Sequence, residues 1–152
     1  MLVAPADPDS AEARLLLNEL DAALAAITGD SGASSFDAAD VQGERAVFML
    51  ARSLEGEVLG CGALRPLESD VAELKRMFAR PGSGAGAQLL KALEAHAGAL
   101  GYRELRLSTR RVNARAVDFY RRHGYGEVAA WRKYAGRLES ICLGRALVKR
   151  CA

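Results

Sequence analysis

The chain has 152 residues, with 21 Lys and Arg against 19 Asp and Glu and a formal net charge of +2. That length gives one domain, spanning 1–152, with a real core and no room for two comfortable ones. The near-neutral balance disfavours a dedicated nucleic-acid binder, and the lack of a long apolar run disfavours a membrane-spanning chain.

In chain order, the stretch from Asp9 to Thr28 predicts a first helix. Asp9 is its expected cap and Glu12 the capping-box partner, Leu16, Leu20, Leu24 and Ile27 form its apolar stripe, and Gly29 is its stop. Residues 30–44 are small and polar, which predicts a loop with a helical turn near Asp37 to Val41. A connection this long is either a substrate-facing segment or a plain mobile loop. Residues 45–53 and 57–67 read as strands with a hairpin turn at Glu55 and Gly56, and 71–79 as the next strand. Three glycines at alternate positions follow, Gly82, Gly84 and Gly86, and then a helix over 86–100 with Leu89, Leu90, Leu93, Ala97 and Leu100 on one face and Gly101 as its stop. A strand over 102–109, a helix capped by Asn113 and closed by Gly124, and two strands over 125–135 and 139–148 complete the order. Strands and helices in this order predict an α/β fold, a mixed sheet with helices on its faces.

Cys61, Cys142 and Cys151 form no CxxC pair and no metal-like spacing with His96 and His123, so no metal is expected and a reduced, cytoplasmic setting fits best. The N-terminus turns polar almost at once, and no signal peptide is expected.

The glycine run between a strand and a helix is the chemical signal. Backbone amides at a helix start have no partner and the helix dipole is positive there, so an anion is a natural occupant, while a flexible turn is the plain alternative. A phosphate-binding loop of the Walker type needs Lys and then Ser or Thr after its last glycine, where this chain has Ala87 and Gln88. Gly82, Gly84 and Ala87 do satisfy G-x-G-x-x-A, but past mid-chain and with no acidic residue at the end of the next strand to hold a ribose.

Three segments in order, "ELKRMFARP", "GSGAGAQLLKALE" and "NARAVDFYRRHGYGEV", resemble the GNAT superfamily of N-acetyltransferases, and the likeness extends over about residues 46 to 147. The resemblance implies a GNAT-like mixed central sheet of about six to seven strands with helices on both faces. It implies an opening between the strands of Glu73–Ala79 and Glu104–Ser108, with acetyl-CoA as co-substrate and no metal. Pantetheine would pair with the strand at Met77, Phe78 and Ala79. Diphosphate would lie on Gly82, Ser83, Gly84, Ala85, Gly86 and Ala87. Asn113, Ala116, Phe119 and Tyr120 would approach the cofactor's arm and sulfur.

The resemblance gives Tyr120 the role of acid to the departing thiolate and Glu73 that of base to the ammonium, directly or through water. On the residues alone, Tyr120 has the alternative reading of a core aromatic with Ala116 and Phe119, Asn113 that of an N-cap, which is compatible with a cofactor contact, and Glu73 that of a surface strand carboxylate on one face with Lys75 and Met77. The cluster of Arg110, Arg111, Arg115, Arg121 and Arg122 reads as a solvated face, a site for the cofactor's 3′-phosphate or an RNA contact. Pro81 stands where the family's loop has Arg or Gln, and the loop is about three residues short, so a weaker hold on the diphosphate is expected. The expected acceptor is a small-molecule amine or amino acid, with a protein amine second. A homodimer is open, no membrane is expected, and nucleic acid is disfavoured. A GNAT-like acyl-CoA-binding or regulatory module with weakened catalysis, and a nucleotide- or nucleic-acid-binding domain, remain as alternatives.

Overall fold

A computed structural model describes residues 1–31, 38–131 and 134–147. Part of the polar 30–44 loop, two residues of the expected 125–135 strand, the end of the last strand and Cys151 lie outside the described residues.

The elements run β1 (Leu2–Pro5), α1 (Ala11–Thr28), a 3₁₀ turn at Ala38–Val41, β2 (Val47–Arg52), β3 (Val58–Pro66), β4 (Val71–Ala79), α2 (Ala85–Ala99), β5 (Glu104–Arg110), α3 (Ala114–Arg122), β6 (Gly126–Glu127) and β7 (Ser140–Ala146). The strands form one seven-stranded sheet in the order β1-β2-β3-β4-β5-β7-β6. β4 and β5 are parallel, and the other neighbours are antiparallel.

Each face of the sheet has its own core. On one face α1 brings Ala13 and Leu16 onto Phe48, Leu50, Cys61 and Ala63. On the other, α2 brings Leu89, Leu90, Leu93 and Ala97, with Tyr120 of α3, onto Leu64, Leu74, Leu105 and Leu107. The alternation of strand side chains therefore sorts residues to faces: even-numbered positions of β2 meet α1, and odd-numbered ones meet α2.

Three local features differ from the sequence expectation. Ser10, not Asp9, caps α1: its hydroxyl accepts from the Ala13 amide at 3.2 Å. The Asp9 amide instead donates to the Asp7 carboxylate at 2.8 Å, a side-chain turn that delays the helix by one residue. β1 escapes the pattern because it is a short edge strand, mostly exposed and ending in proline, which such an edge tolerates. β6 is far shorter than the 125–135 strand expected. After Val128 donates to Cys142 at 2.9 Å the chain leaves the sheet and turns at Tyr134 to Gly136.

Candidate active site

β4 and β5 pair only at Val71–Glu104, Ala72–Leu105 and Glu73–Arg106. Beyond Glu73 the strands part, and β4 has no sheet partner on that edge among the described residues. A bulge in β4 accompanies the parting. Cys61 and Ala63 of β3 face Phe78 and Lys75, so three steps along β4 match two along β3. Arg76 takes the extra position with φ 56, the one non-glycine residue with positive φ among those described. That conformation is costly for a side chain with a Cβ, so it needs anchoring from outside the strand. The anchor is α1: the Arg76 guanidinium pairs with Asp21 and donates to the Leu17 carbonyl, and it also donates to Ser31 just beyond the helix.

The bulge changes which side chains share a face. Regular alternation would keep Glu73, Lys75 and Met77 together. In the structure Glu73 and Lys75 lie on the α1 face, while Met77 and Ala79 pack with the α2 core and Phe78 with the α1 core. The backbone changes too. Arg80 donates to Leu59 at 2.8 Å, so Arg80 and Phe78 turn their polar groups to β3. By alternation the amides and carbonyls of Met77 and Ala79 face the open edge. Of the three residues expected to meet pantetheine, those two have the backbone groups to do so.

The opening is a cleft of about 170 Å³ that reaches from one face of the sheet to the other. Leu20 and Leu24 of α1, with Glu73, Lys75 and Tyr134, form its α1-side wall. Asn113, Ala116 and Tyr120 of α3, with Met77 and Leu107, form the opposite wall. Glu73 is 1% exposed, and its carboxylate accepts from Arg65 Nε at 3.0 Å while Arg65 also pairs with Asp40 at 3.0 Å. Glu73 is thus buried and ion-paired, not a surface carboxylate. Tyr134 stands near it: burial, and then the Glu73 charge, push the Tyr134 phenol above its usual value.

Tyr120 is both core aromatic and cleft wall. Its ring stands edge-on to Phe119 at 5.1 Å and to Tyr125 at 5.7 Å. Desolvation pushes its hydroxyl well above the usual tyrosine value, so it remains protonated and able to donate. The ring of Tyr125 is itself pinned, its hydroxyl donating to Glu94 at 2.8 Å beside Arg145 at 3.0 Å. Asn113 caps α3 by accepting from the Ala116 amide at 3.3 Å, which leaves its side-chain N–H groups as donors at the cleft.

The glycine loop is a turn that opens directly into α2. Gly82 and Gly84 have φ 76 and 73, the left-handed region glycine enters without strain. Gly84 is the N-cap and supplies no side chain, and Ser83 Oγ accepts from the Ala85 amide at 3.2 Å. The amides of Gly84, Gly86 and Ala87 have no acceptor among the described residues. Phe119 closes over this helix start, since a Cβ on Gly86 would lie 3.4 Å from its ring. Arg80 does not take over from the absent loop cation. Its guanidinium is held by Glu19 of α1 through contacts of 3.0 and 2.8 Å, with a further bond to the Val58 carbonyl at 3.0 Å. Of the arginine cluster, Arg110 pairs with Asp30 and Arg111 with Glu127.

The structure therefore brings Glu73, Met77, Ala79, Asn113, Ala116 and Tyr120 to the cleft and its open edge, with the glycine loop and Phe119 at one end. Sequence reasoning missed Lys75, Ser108, Tyr134 and the α1 leucines as wall residues. Leu20 and Leu24 carried only a core signal, and Tyr134 sat in what looked like a strand. These donors fit an acyl-CoA: an open strand edge, unpaired amides at a helix start and a protonated phenol. Among the described residues no helix is long and apolar enough to cross a membrane, and no cluster of His, Cys, Asp or Glu is placed to hold a metal.

Residues 16–125 match the profile of the Acetyltransferase (GNAT) family. An IAA acetyltransferase of Azospirillum brasilense is 35% identical over 91 residues, which cover 57% of this chain and 59% of that protein. A Klebsiella pneumoniae protein assigned to the acyl-CoA N-acyltransferases superposes with a TM-score of 0.82 at 29% identity, over 97% of each chain. A GNAT-family acetyltransferase of Elizabethkingia anophelis, solved with acetyl-CoA bound, gives 0.71 at 17% identity over 96% of this chain and 97% of that one.

Proposed function

The chain belongs to the Acetyltransferase (GNAT) family, and on that premise we propose that it moves an acetyl group from acetyl-CoA to a small primary amine by direct attack. The observation that carries this reading is the cleft through the sheet, with protonated Tyr120 on one wall and buried Glu73 on the other.

Acetyl-CoA supplies an activated thioester. The chain's own residues do the rest. The amides of Gly84, Gly86 and Ala87, at the positive end of α2, hold the diphosphate. The open edge of β4 at Met77 and Ala79 pairs with the pantetheine amides, and Phe119, Ala116 and Asn113 line that path. A backbone amide of the same edge polarises the thioester carbonyl, as a preorganised oxyanion donor does. Tyr120 gives its proton to the departing sulfur, and a hydroxyl that burial keeps protonated is suited to that step. Glu73 takes the ammonium proton, directly or through a water, and becomes neutral, while Arg65, itself held by Asp40, keeps the carboxyl group in position. Leu20 and Leu24 cover the α1 side and exclude bulk water.

The test is release of coenzyme A thiol from acetyl-CoA with a panel of amines, with the product identified by mass spectrometry. Amine-dependent release with an acetylated product supports the reading. Acetyl-CoA binding without amine-dependent release would instead support an acyl-CoA-binding module. The commitment of Arg80 to Glu19, beside Pro81, is the observation that favours this second reading, because the loop then grips diphosphate through backbone alone.

A further inference from the structure

The charges on the α1-side wall bear on what the acceptor carries besides its amine. Glu73 and Lys75 are two residues apart on β4, before the bulge, so both side chains leave the same face and both line the cleft. Strand rise puts their origins about 6–7 Å apart. Both are withdrawn from solvent, Glu73 at 1% and Lys75 at 8% exposure. Lysine is among the residues least often buried, because the ammonium must give up its hydration.

The sign of this wall also excludes a class of acceptor. Glu73 is the only carboxylate among the described residues lining the cleft, and it already accepts from Arg65. Lys75 stands beside it. A polycationic acceptor would meet a single, already paired, carboxylate and a like charge next to it, which is unfavourable in a low-dielectric cleft. An acceptor with one amine and one carboxylate a few bonds apart meets the opposite arrangement. Its amine faces Glu73 and its carboxylate faces Lys75, whose ammonium has three N–H donors and can hold a protein partner and a ligand together. The cleft's volume of about 170 Å³ suits a small molecule of that kind.

We propose that the acceptor is a small amine bearing a carboxylate, an amino acid in the broad sense, and that Lys75 is the specificity-determining residue that binds this carboxylate. The proposal rests on the acyl-transfer reading and narrows it. No new bond chemistry is involved. Lys75 contributes a charge-assisted hydrogen bond to substrate and touches no reacting atom.

The experiment compares matched acceptors on the full chain with saturating acetyl-CoA: leucine against 3-methylbutylamine, alanine against ethylamine, and spermidine as a polycation. Wild type should favour the amino acid of each pair by about ten- to hundredfold in kcat/KM, the size of one charge-assisted hydrogen bond, with the difference mainly in KM. Lys75→Met should bring each ratio towards one, and Lys75→Arg should keep most of it. Calorimetric titration with acetyl-CoA reports whether each variant is folded, and the wild-type ratios stand without any variant. Equal or better use of the decarboxylated amines or of spermidine by wild type overturns the proposal. So does a ratio unchanged in a folded Lys75→Met. Turnover with spermidine or simple amines leaves acyl transfer standing while this proposal fails. No turnover with any amine sinks both.

Discussion

Gly60→Ala is the substitution that most directly couples the packing of the sheet to the cofactor end of the cleft. Gly60 and Gly62 both lie on β3 beneath α2. A Cβ at Gly60 would lie 2.6 Å from the Phe78 carbonyl oxygen, 2.9 Å from Leu89 Cδ1 and 3.2 Å from Ala85 Cβ. The first contact is backbone, so β4 itself must move by about 0.4–0.8 Å to reach 3.0–3.4 Å. It would move at Phe78, between the two open-edge residues Met77 and Ala79, while Ala85 opens the helix proposed to hold the diphosphate. At Gly62 the new methyl would meet Met77 Sδ at 2.3 Å and Leu93 Cδ1 at 2.9 Å, both ends of flexible side chains. Overpacking costs about 1–3 kcal/mol, so Gly60→Ala belongs at the upper end and Gly62→Ala at the lower. For a chain of this size about 3 kcal/mol lowers Tm by roughly 6–12 °C, and about 1 kcal/mol by roughly 2–4 °C. Gly43→Ala, with open space around it, is the control and should leave Tm within a degree or two. Acetyl-CoA affinity should fall about tenfold in Gly60→Ala, since one well-placed charge-assisted hydrogen bond is worth that much. Differential scanning calorimetry and titration calorimetry measure both quantities. Equal Tm values for the two substitutions, or unchanged cofactor affinity in Gly60→Ala, would refute the claim that β4 and the start of α2 are held through Gly60.

Three further outcomes are expected. Tyr120→Phe should lower kcat by about 10²–10⁴-fold with little change in acetyl-CoA affinity, as loss of a positioned proton donor does; normal turnover would make the ring packing alone. Asp21→Asn removes the carboxylate that pairs with Arg76 and should cost about 1–3 kcal/mol by urea unfolding, less than a fully buried pair because Asp21 is partly exposed, and should speed amide exchange at Phe78 and Arg80, whose polar groups turn to β3. Stability should also fall at alkaline pH. Burial pushes the Cys61 thiol from its usual value near 9 up to about 12, so the unfolded chain releases this proton first. The stability is fully present below pH 9 and is lost between pH 9 and 12, by about 1.4 kcal/mol per pH unit from this group. Cys61→Ala should lessen the slope of unfolding free energy between pH 9 and 10, where the Cys142 thiol, also raised by burial, contributes as well and the raised tyrosines do not yet, and an unchanged slope would assign the loss elsewhere.

Much of the fold was legible because its signals are local. The leucine spacing of α1 and α2, the caps at Asn113 and Gly29, and the hairpin between β2 and β3 each follow from a few neighbouring residues. β1 was not legible, since an exposed four-residue edge strand has no burial pattern to read. The candidate site divides in the same way. The glycine loop and Tyr120 carried motif and spacing signals. Lys75 and Tyr134 became wall residues only through the parting of β4 from β5 and the turn after β6, which no local pattern records. The Arg76 bulge is the clearest case. It moves Met77 to the opposite face from Lys75, and its support is an ion pair to Asp21, far away in sequence.

The central claim is that the glycine loop and the open edge of β4 hold acetyl-CoA. The most direct measurement is titration calorimetry of the chain with acetyl-CoA and, separately, with acetyl-pantetheine, which keeps the thioester arm and lacks the diphosphate. The account predicts binding of both, with acetyl-CoA tighter by at least about tenfold through the amides of Gly84, Gly86 and Ala87. Equal affinities would show that the helix start holds no phosphate, and the glycines would then be only a turn.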